Sequence, residues 1–271
     1  MSPITRRSAA LSLLLTPLVA HAQPAPVSDR EWKSFLDWTN ALPPDSVPPS
    51  GGAVLNAYKA KLIGDGLATA DADQVIERLR KRANSGPEFQ VLVYNKMYGS
   101  HNSIYTTAPN PFLVDVVQEL RPGRALDVGM GEGRNSIFLA QRGWDVTGID
   151  LAEVGVAKAR IRAADLGLKI NALILDGDKF DYGTGQWDLV CLLYFSGAMF
   201  MHDFEKRIGN SVKPGGYVIG EGPYGDPKSL GEGWDVWQAM SFTILRLEYR
   251  VGKADWGQPS FSRFLIRRTA E

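Results

Sequence analysis

From about residue 111 onward, apolar and polar positions switch repeatedly between two periods. In FLVDVVQEL, Phe112, Val116 and Leu120 recur at helical spacing, and RALDVG (124–129) reads as a short buried strand. A helix over RNSIFLAQRG follows, closed by Gly143, and then a strand over WDVTGID. LAEVGVAKARIRAADLG reads as a helix, INALILD and WDLVCLLYF as strands, MHDFEKRIGNSVKPGG as a helix and turn, and YVIGEG as a strand. This alternation predicts a doubly wound, mostly parallel seven-stranded sheet covered by helices on both faces. After Gly225 the rhythm stops. FTILRLEYRVGKADW and SFSRFLIRRTAE alternate with period two around a turn containing Gly and Pro, which predicts an antiparallel pair at the C-terminal edge.

The N-terminal third is patterned differently. Residues 23–52 carry Pro24, Pro26, Pro43, Pro44, Pro48, Pro49, Gly51 and Gly52, and read as irregular linker around one amphipathic stretch, REWKSFLDW. Its Trp32, Phe35 and Trp38 fall at helical spacing and are expected to pack onto the main domain. A firmer helix is predicted over DADQVIERLRKRA (71–83), where Asp71 and Gln74 resemble a capping box, Val75, Leu79 and Ala83 form a stripe, and Gly86-Pro87 ends the segment. Residues 23–93 are therefore a linker and helical extension to a domain spanning 94–271. Ahead of both, residues 1–22 combine Arg6-Arg7, an apolar run from Ala9 to Ala20, and the small-x-small ending Ala20-His21-Ala22. That is the design of a cleavable leader. It predicts a periplasmic or secreted protein with no stable membrane span once the leader is removed, with the cytoplasm as the alternative if the leader does not function. The paired arginines are compatible with a twin-arginine route.

Composition narrows the function. Thirty basic residues balance thirty acidic ones in 271, so no broad field favours nucleic acid or anionic lipid. A single cysteine, Cys191, and the three histidines His21, His101 and His202 provide neither a disulfide framework nor metal-ligand spacing, so no metal is expected. Cys191 lies mid-strand and reads as a small buried apolar residue.

The chemistry concentrates in ALDVGMGEG. Gly129, Gly131 and Gly133 follow a strand and precede a helix, and Asp150 ends the next strand. In a doubly wound sheet this is the ligand end: a glycine loop lets the chain approach closely, and the second-strand acid can accept hydrogen bonds from a ribose diol. A dinucleotide fingerprint would require glycine at 134, where arginine stands. Asp127, two residues before the first glycine, would repel a pyrophosphate but suits a ligand carrying an ammonium or sulfonium group. S-adenosylmethionine is favoured over NAD on that ground.

With these residues in view, the chain resembles the class I S-adenosylmethionine-dependent methyltransferases, of Rossmann-like fold, and is similar to the small-molecule enzymes of the tellurite-resistance type. The resemblance covers about 94–271 and rests on ALDVGMGEGRNSIFLAQRGWDVTGID, ILDGDKFDYGTGQWDLVCLLYF and VKPGGYVIGEG; YNKMYGSHNSIYTTAPNPFL (94–113) is similar to the family segment that lies over the cofactor. It implies that Asp127 faces the methionyl amino group, that Gly129, Gly131 and Gly133 border the methionyl part, and that Asp150 takes the ribose hydroxyls. It further implies that Leu151 lines the adenine, that Asp176 meets the adenine amino group with Gly177 adjacent, and that Leu192 and Leu193 end the fourth strand beside the cofactor. Met130, where relatives carry cysteine or a small residue, is expected to pack beneath the loop, and Asp188 to be structural. Asp178 and Asp181 read as solvated loop acids, and Glu132 and Arg134 as surface residues at the helix start.

The implied reaction is an in-line displacement that moves a methyl group to a small-molecule nucleophile, which requires alignment and exclusion of water above all. On the acceptor side the candidates are Tyr98, His101, Tyr105, Tyr194, Phe195 and His202, whose rings can also stabilise a sulfonium by cation–π attraction. LLYFSG stands where amino-methylating enzymes of DNA and protein carry an Asn-Pro-Pro-aromatic motif, which argues against those substrates. The competing function is a non-catalytic S-adenosylmethionine-binding sensor or scaffold in the cell envelope. An NAD-dependent oxidoreductase is disfavoured by Arg134 and the antiparallel C-terminal pair.

Overall fold

The computed structural model describes residues 26–101, 106–195, 203–222, 231–251 and 260–270. The segment expected to be a leader and the Gly- and Pro-containing stretch expected to join the last two strands lie outside them. Seven strands form one sheet in the order β3-β2-β1-β4-β5-β7-β6. They are β1 (Arg124–Val128), β2 (Asp145–Asp150), β3 (Asn171–Ile174), β4 (Trp187–Leu193), β5 (Val212–Gly222), β6 (Phe242–Val251) and β7 (Ser260–Arg268). Strands β1 to β5 run parallel, and β7 lies between β5 and β6, antiparallel to both. The expected mixed sheet is therefore present. The chain winds outward from β1 through β2 to β3, then returns to place β4 on the other side of β1. That reversal puts the topological switch point at the C-terminal ends of β1 and β4.

Five helices accompany the sheet: α5 (Pro111–Val117), α6 (Arg134–Gln141), α7 (Glu153–Asp165), α8 (Phe204–Ser211) and α9 (Gly231–Ala239). The last of these stands where the sequence rhythm stops. On one face of the sheet, Phe112, Leu113, Leu139 and Trp144 pack against Ala125, Leu189 and Cys191; on the other, Phe204, Ile208 and Trp237 pack against Leu126, Val190 and Val218. Neighbouring residues of β1 and β4 thus feed opposite cores, as a strand buried on both sides requires. Cys191 is fully buried, and burial first, then the charge of Asp127, pushes its thiol well above the usual range. It packs as a small neutral residue.

The N-terminal extension is more ordered than its composition predicts. It forms a bundle of α1 (Asp29–Ala41), α2 (Gly51–Gly64), α3 (Thr69–Ala83) and α4 (Glu88–Gly99), with a short 3₁₀ turn at Pro44–Ser46. Two starts come from serine caps. Ser28 and Glu31 form a reciprocal capping box on α1, and Ser50 Oγ accepts from the Ala53 N–H at 3.2 Å to open α2. Helix α2 begins in a stretch expected to be linker, because its two leading glycines sit in the first turn rather than ending a loop. Helix α3 starts at Thr69, so Asp71 and Gln74 lie within it and do not cap it.

Trp32 and Phe35 do not pack onto the sheet domain, contrary to expectation. They belong to a separate core with Val54, Tyr58, Ile76, Leu79, Phe89, Val93 and Met97, all contributed by the bundle. Phe35 is its hub, with ring centroids 5.0 Å from Phe89 and 5.1 Å from Tyr58, while Trp38 stacks on Tyr58 at 5.0 Å. The boundary expected at residue 93 to 94 falls inside α4, which serves both units. Its Phe89 and Val93 fill the bundle, while Asn95 Oδ1 accepts from the Val154 N–H in the first turn of α7 at 3.0 Å. Helix α7 has no side-chain cap of its own, so this orphan N–H is satisfied from the bundle.

Candidate functional site

The loop after β1 is held to β2 by its backbone. The N–H groups of Gly129 and Met130 both donate to the Ile149 carbonyl, at 2.9 and 3.0 Å. Gly129 and Gly131 have φ of 74° and 53°, a region that favours glycine. Side chains there would also collide: a Cβ on Gly129 would stand 2.7 Å from the Phe195 ring, and one on Gly131 would stand 2.5 Å from Tyr98 Oη. Two aromatic rings therefore lie directly against the loop, one from the end of β4 and one from α4. Met130 packs beneath it with Val156, Ala159 and Ala172, as expected.

Asp150 is the pivot of the arrangement. Its Oδ2 accepts from the Gly131 N–H at 2.8 Å and its Oδ1 from the Ala152 N–H at 2.7 Å, which ties the glycine loop to the start of α7. Burial pushes its pKa up, opposed by these backbone donors. Asp150 lines a cavity of about 240 Å³ together with Val128, Ile149, Leu151, Leu175, Asp176, Gly177, Asp178 and Phe195 on the sheet side. Ser85, Gly86, Pro87 and Gln90 of the bundle form the opposing wall.

Four of the residues expected to meet adenosine, Asp150, Leu151, Asp176 and Gly177, thus share one cavity. Asp178 joins them, paired with Arg207 at 2.8 Å rather than free in solvent. Leu192 and Leu193 do not line it: both are buried, on opposite faces of the sheet, and Phe195 supplies the apolar surface instead. Among the lining residues are three carboxylates and no cation, so the walls fit an adenosyl group and suit a pyrophosphate poorly.

Asp127 lies under the loop rather than in the cavity wall. It is 2% exposed, and its Oδ2 accepts from Ser136 Oγ at 2.7 Å. Burial pushes its pKa up to about 6, against the Ser136 hydrogen bond and the nearby charge of Arg134. Arg134 is buried, not on the surface, and its Nη1 donates to the Ala108 carbonyl at 3.2 Å. Glu132 is ion-paired to Lys158 at 2.9 Å. Asp188 is structural as expected. Burial raises its pKa, but hydrogen bonds from Lys213 Nζ and the Arg124 N–H, both at 2.7 Å, bring it below the usual range.

The acceptor-side candidates separate. Tyr98 is buried against Gly131. Tyr194 has φ of 59°, rare for a bulky residue, and its N–H donates to the Glu221 carbonyl at 2.6 Å, so the chain turns sharply where β4 ends. His101 is not part of the cavity; its ring is exposed and faces Asp45, with Nδ1 3.4 Å from Oδ2. Tyr105 and His202 lie outside the described residues. Among the described residues no cluster of His, Cys, Asp or Glu could hold a metal ion, and no helix is long and apolar enough to cross a membrane.

Motif reading misses the bundle wall. Gly86-Pro87 reads as a helix end, and nothing local in sequence brings Gln90 opposite Asp150, 60 residues further on. A buried polar chain is missed for the same reason. Asn110 caps α5 with its Oδ1, donates from its backbone N–H to Asn135 Oδ1 at 2.9 Å, and donates from its side-chain Nδ2 to Glu221 Oε1 at 2.7 Å.

Comparison with known proteins agrees with this geometry. Residues 125–216 match the family described as "Methyltransferase domain". The chain is 31% identical over 164 residues to the ubiquinone biosynthesis O-methyltransferase of Bordetella avium, covering 58% of this chain and 64% of that protein. It is 29% identical over 161 residues to the protein of that name from Pseudomonas aeruginosa, covering 58% and 65%. The chain thus spans somewhat less than two thirds of the length of these relatives. Among solved structures, TehB from Haemophilus influenzae superposes with a TM-score of 0.51 at 21% identity, over 65% of this chain and 67% of that one, a likeness of fold.

Proposed function

Residues 125–216 form a domain of the class I S-adenosylmethionine-dependent methyltransferases, and on that premise we propose that the chain transfers a methyl group from S-adenosylmethionine to a hydroxyl of a small molecule. The observation that carries the reading is Asp150: a half-buried carboxylate, clamped by the N–H groups of Gly131 and Ala152, lining a cavity that also holds the apolar Val128, Ile149, Leu151, Leu175 and Phe195 and the acids Asp176 and Asp178. Oxygen as the acceptor atom is supported by the curated relatives, which are named O-methyltransferases.

When bound, S-adenosylmethionine supplies a methyl group on a positively charged sulfur. Asp150 would accept hydrogen bonds from the ribose hydroxyls, Leu151 and Phe195 would supply apolar surface for the adenine, and Asp176 would accept from its amino group. Asp127, beneath the loop, sets a negative potential that favours the cationic methionyl end. Gly129, Gly131 and Gly133 keep that end close to the backbone. Tyr98 and Phe195, resting on the loop, exclude water and offer ring faces to positive charge. A base is required only where the acceptor arrives protonated, and an activated phenol needs little help.

The test is incubation of the purified protein with S-adenosylmethionine and a panel of catechols, phenols and thiols, with mass spectrometry for methylated product and S-adenosylhomocysteine. Methylation of one or more hydroxylated aromatics is expected. Tight cofactor binding with no product from any acceptor would overturn the enzymatic reading and favour the binding-protein alternative.

A further inference from the structure

The cavity has two walls of different origin. The sheet wall carries Asp150, Leu151, Asp176 and Gly177, and the bundle wall carries Ser85, Gly86, Pro87 and Gln90. Of the four bundle residues, Ser85 and Gln90 carry polar side chains, and the Ser85 hydroxyl already donates to the Arg82 carbonyl at 2.7 Å, which leaves the Gln90 carboxamide. It is half-buried, in the first turn of α4, and among the described residues its carboxamide makes no hydrogen bond. A half-buried amide that keeps no protein partner at a cavity wall is free to pair with what enters the cavity.

The frame around Gln90 is fixed on both sides. The preceding Glu88 accepts from Trp32 Nε1 at 2.9 Å, Phe89 is locked in the bundle core, and Asn95 one turn further is bonded to α7. The carboxamide is therefore presented to the cavity from a rigid helix. An amide offers one acceptor beside one donor, and the edge of adenine offers an amino donor beside a ring-nitrogen acceptor, so the two pair in a bidentate fashion.

We propose that Gln90 reads the edge of the adenine ring, making the helical extension a working wall of the cofactor site and an adenine-selective one. The proposal rests on the reading that this cavity takes the adenosyl group. It assigns recognition of the amino group to both walls, with Asp176 accepting on one side and Gln90 completing the pair on the other.

The experiment is calorimetry on the full chain with S-adenosylhomocysteine and S-inosylhomocysteine, in which an oxo group replaces the amino group. The wild type should prefer the adenine ligand by at least about tenfold, the discrimination expected of one bidentate pair. Gln90→Ala should bind S-adenosylhomocysteine about tenfold more weakly and show a narrower preference, the remainder being what Asp176 supplies, with an unchanged thermal midpoint. Gln90→Glu, which still accepts from the amino group but has no donor for the ring nitrogen, should also bind S-adenosylhomocysteine more weakly than the wild type. Wild-type affinity and selectivity in Gln90→Ala, or no selectivity in the wild type, overturns the proposal. Asp150→Ala separates the two readings. If it abolishes binding while Gln90→Ala changes nothing, the cofactor reading stands and the Gln90 proposal fails; if Asp150→Ala and Gln90→Ala both bind like the wild type, the cavity is not the adenosyl site and both fail.

Discussion

The helical bundle and the sheet domain meet at one cavity but contribute to it by different physical means. The bundle is held by aromatic packing around Phe35 and presents a single neutral amide to the ligand side. The sheet domain places two carboxylates, the buried Asp127 and the half-buried Asp150, at adjacent strand ends, where desolvation pushes both pKa values up. Packing in the bundle serves stability; charge in the sheet domain opposes stability and serves binding. A polar group kept in such surroundings marks the place where the molecule gives up stability for function.

That contrast can be broken from either side. The largest effect is expected from the bundle: Phe35→Ala removes the hub ring from a site with no exposure and should cost about 3–5 kcal/mol. Denaturant unfolding followed by tryptophan fluorescence would report it through Trp32, whose ring lies 5.7 Å from Phe35. A loss below about 1 kcal/mol would mean that the bundle core is not the unit described.

Asp127→Asn should act in the opposite direction. The carboxyl has a pKa of about 6 in the fold against an ordinary value of 3.8, so the folded state binds its proton more tightly. Stability from this group is full below the unfolded pKa and is lost as pH rises from about 4 to 6, leaving a deficit of about 3 kcal/mol at neutral pH. The amide retains an acceptor for Ser136 and carries no charge to desolvate. The variant should therefore unfold at a higher temperature than the wild type at pH 7.5, and the difference should shrink toward pH 4. A lower midpoint at neutral pH would mean that the ionised carboxylate stabilises the fold.

The two regions also differ in how far the sequence reveals them. The sheet is legible because its strands are short and mostly apolar, its helices keep their spacing, and the motif from Asp127 to Asp150 is local. The end of β4 misleads there, since Leu192 and Leu193 face the cores and the turn at Tyr194 delivers Phe195 to the cavity, and so does Arg134, which is buried rather than on the surface. The bundle is obscured by Pro48-Pro49-Ser50-Gly51-Gly52, whose breakers suggest a linker although Ser50 caps a helix. The contacts that join bundle and sheet, Asn95 to Val154 and Gln90 across from Asp150, depend on how α4 is docked, and no periodicity encodes that.

The central claim is that the negative charge of Asp127 favours a cationic ligand at the glycine loop. Calorimetric titration at pH 7.5 and pH 5 with S-adenosylmethionine and with 5′-methylthioadenosine, which has the adenosyl group but no charge, tests it most directly. Protonating a group with a pKa of about 6 should weaken S-adenosylmethionine by about tenfold relative to the neutral ligand, and Asp127→Asn should abolish the difference. Equal pH dependence for the two ligands in the wild type would contradict the account.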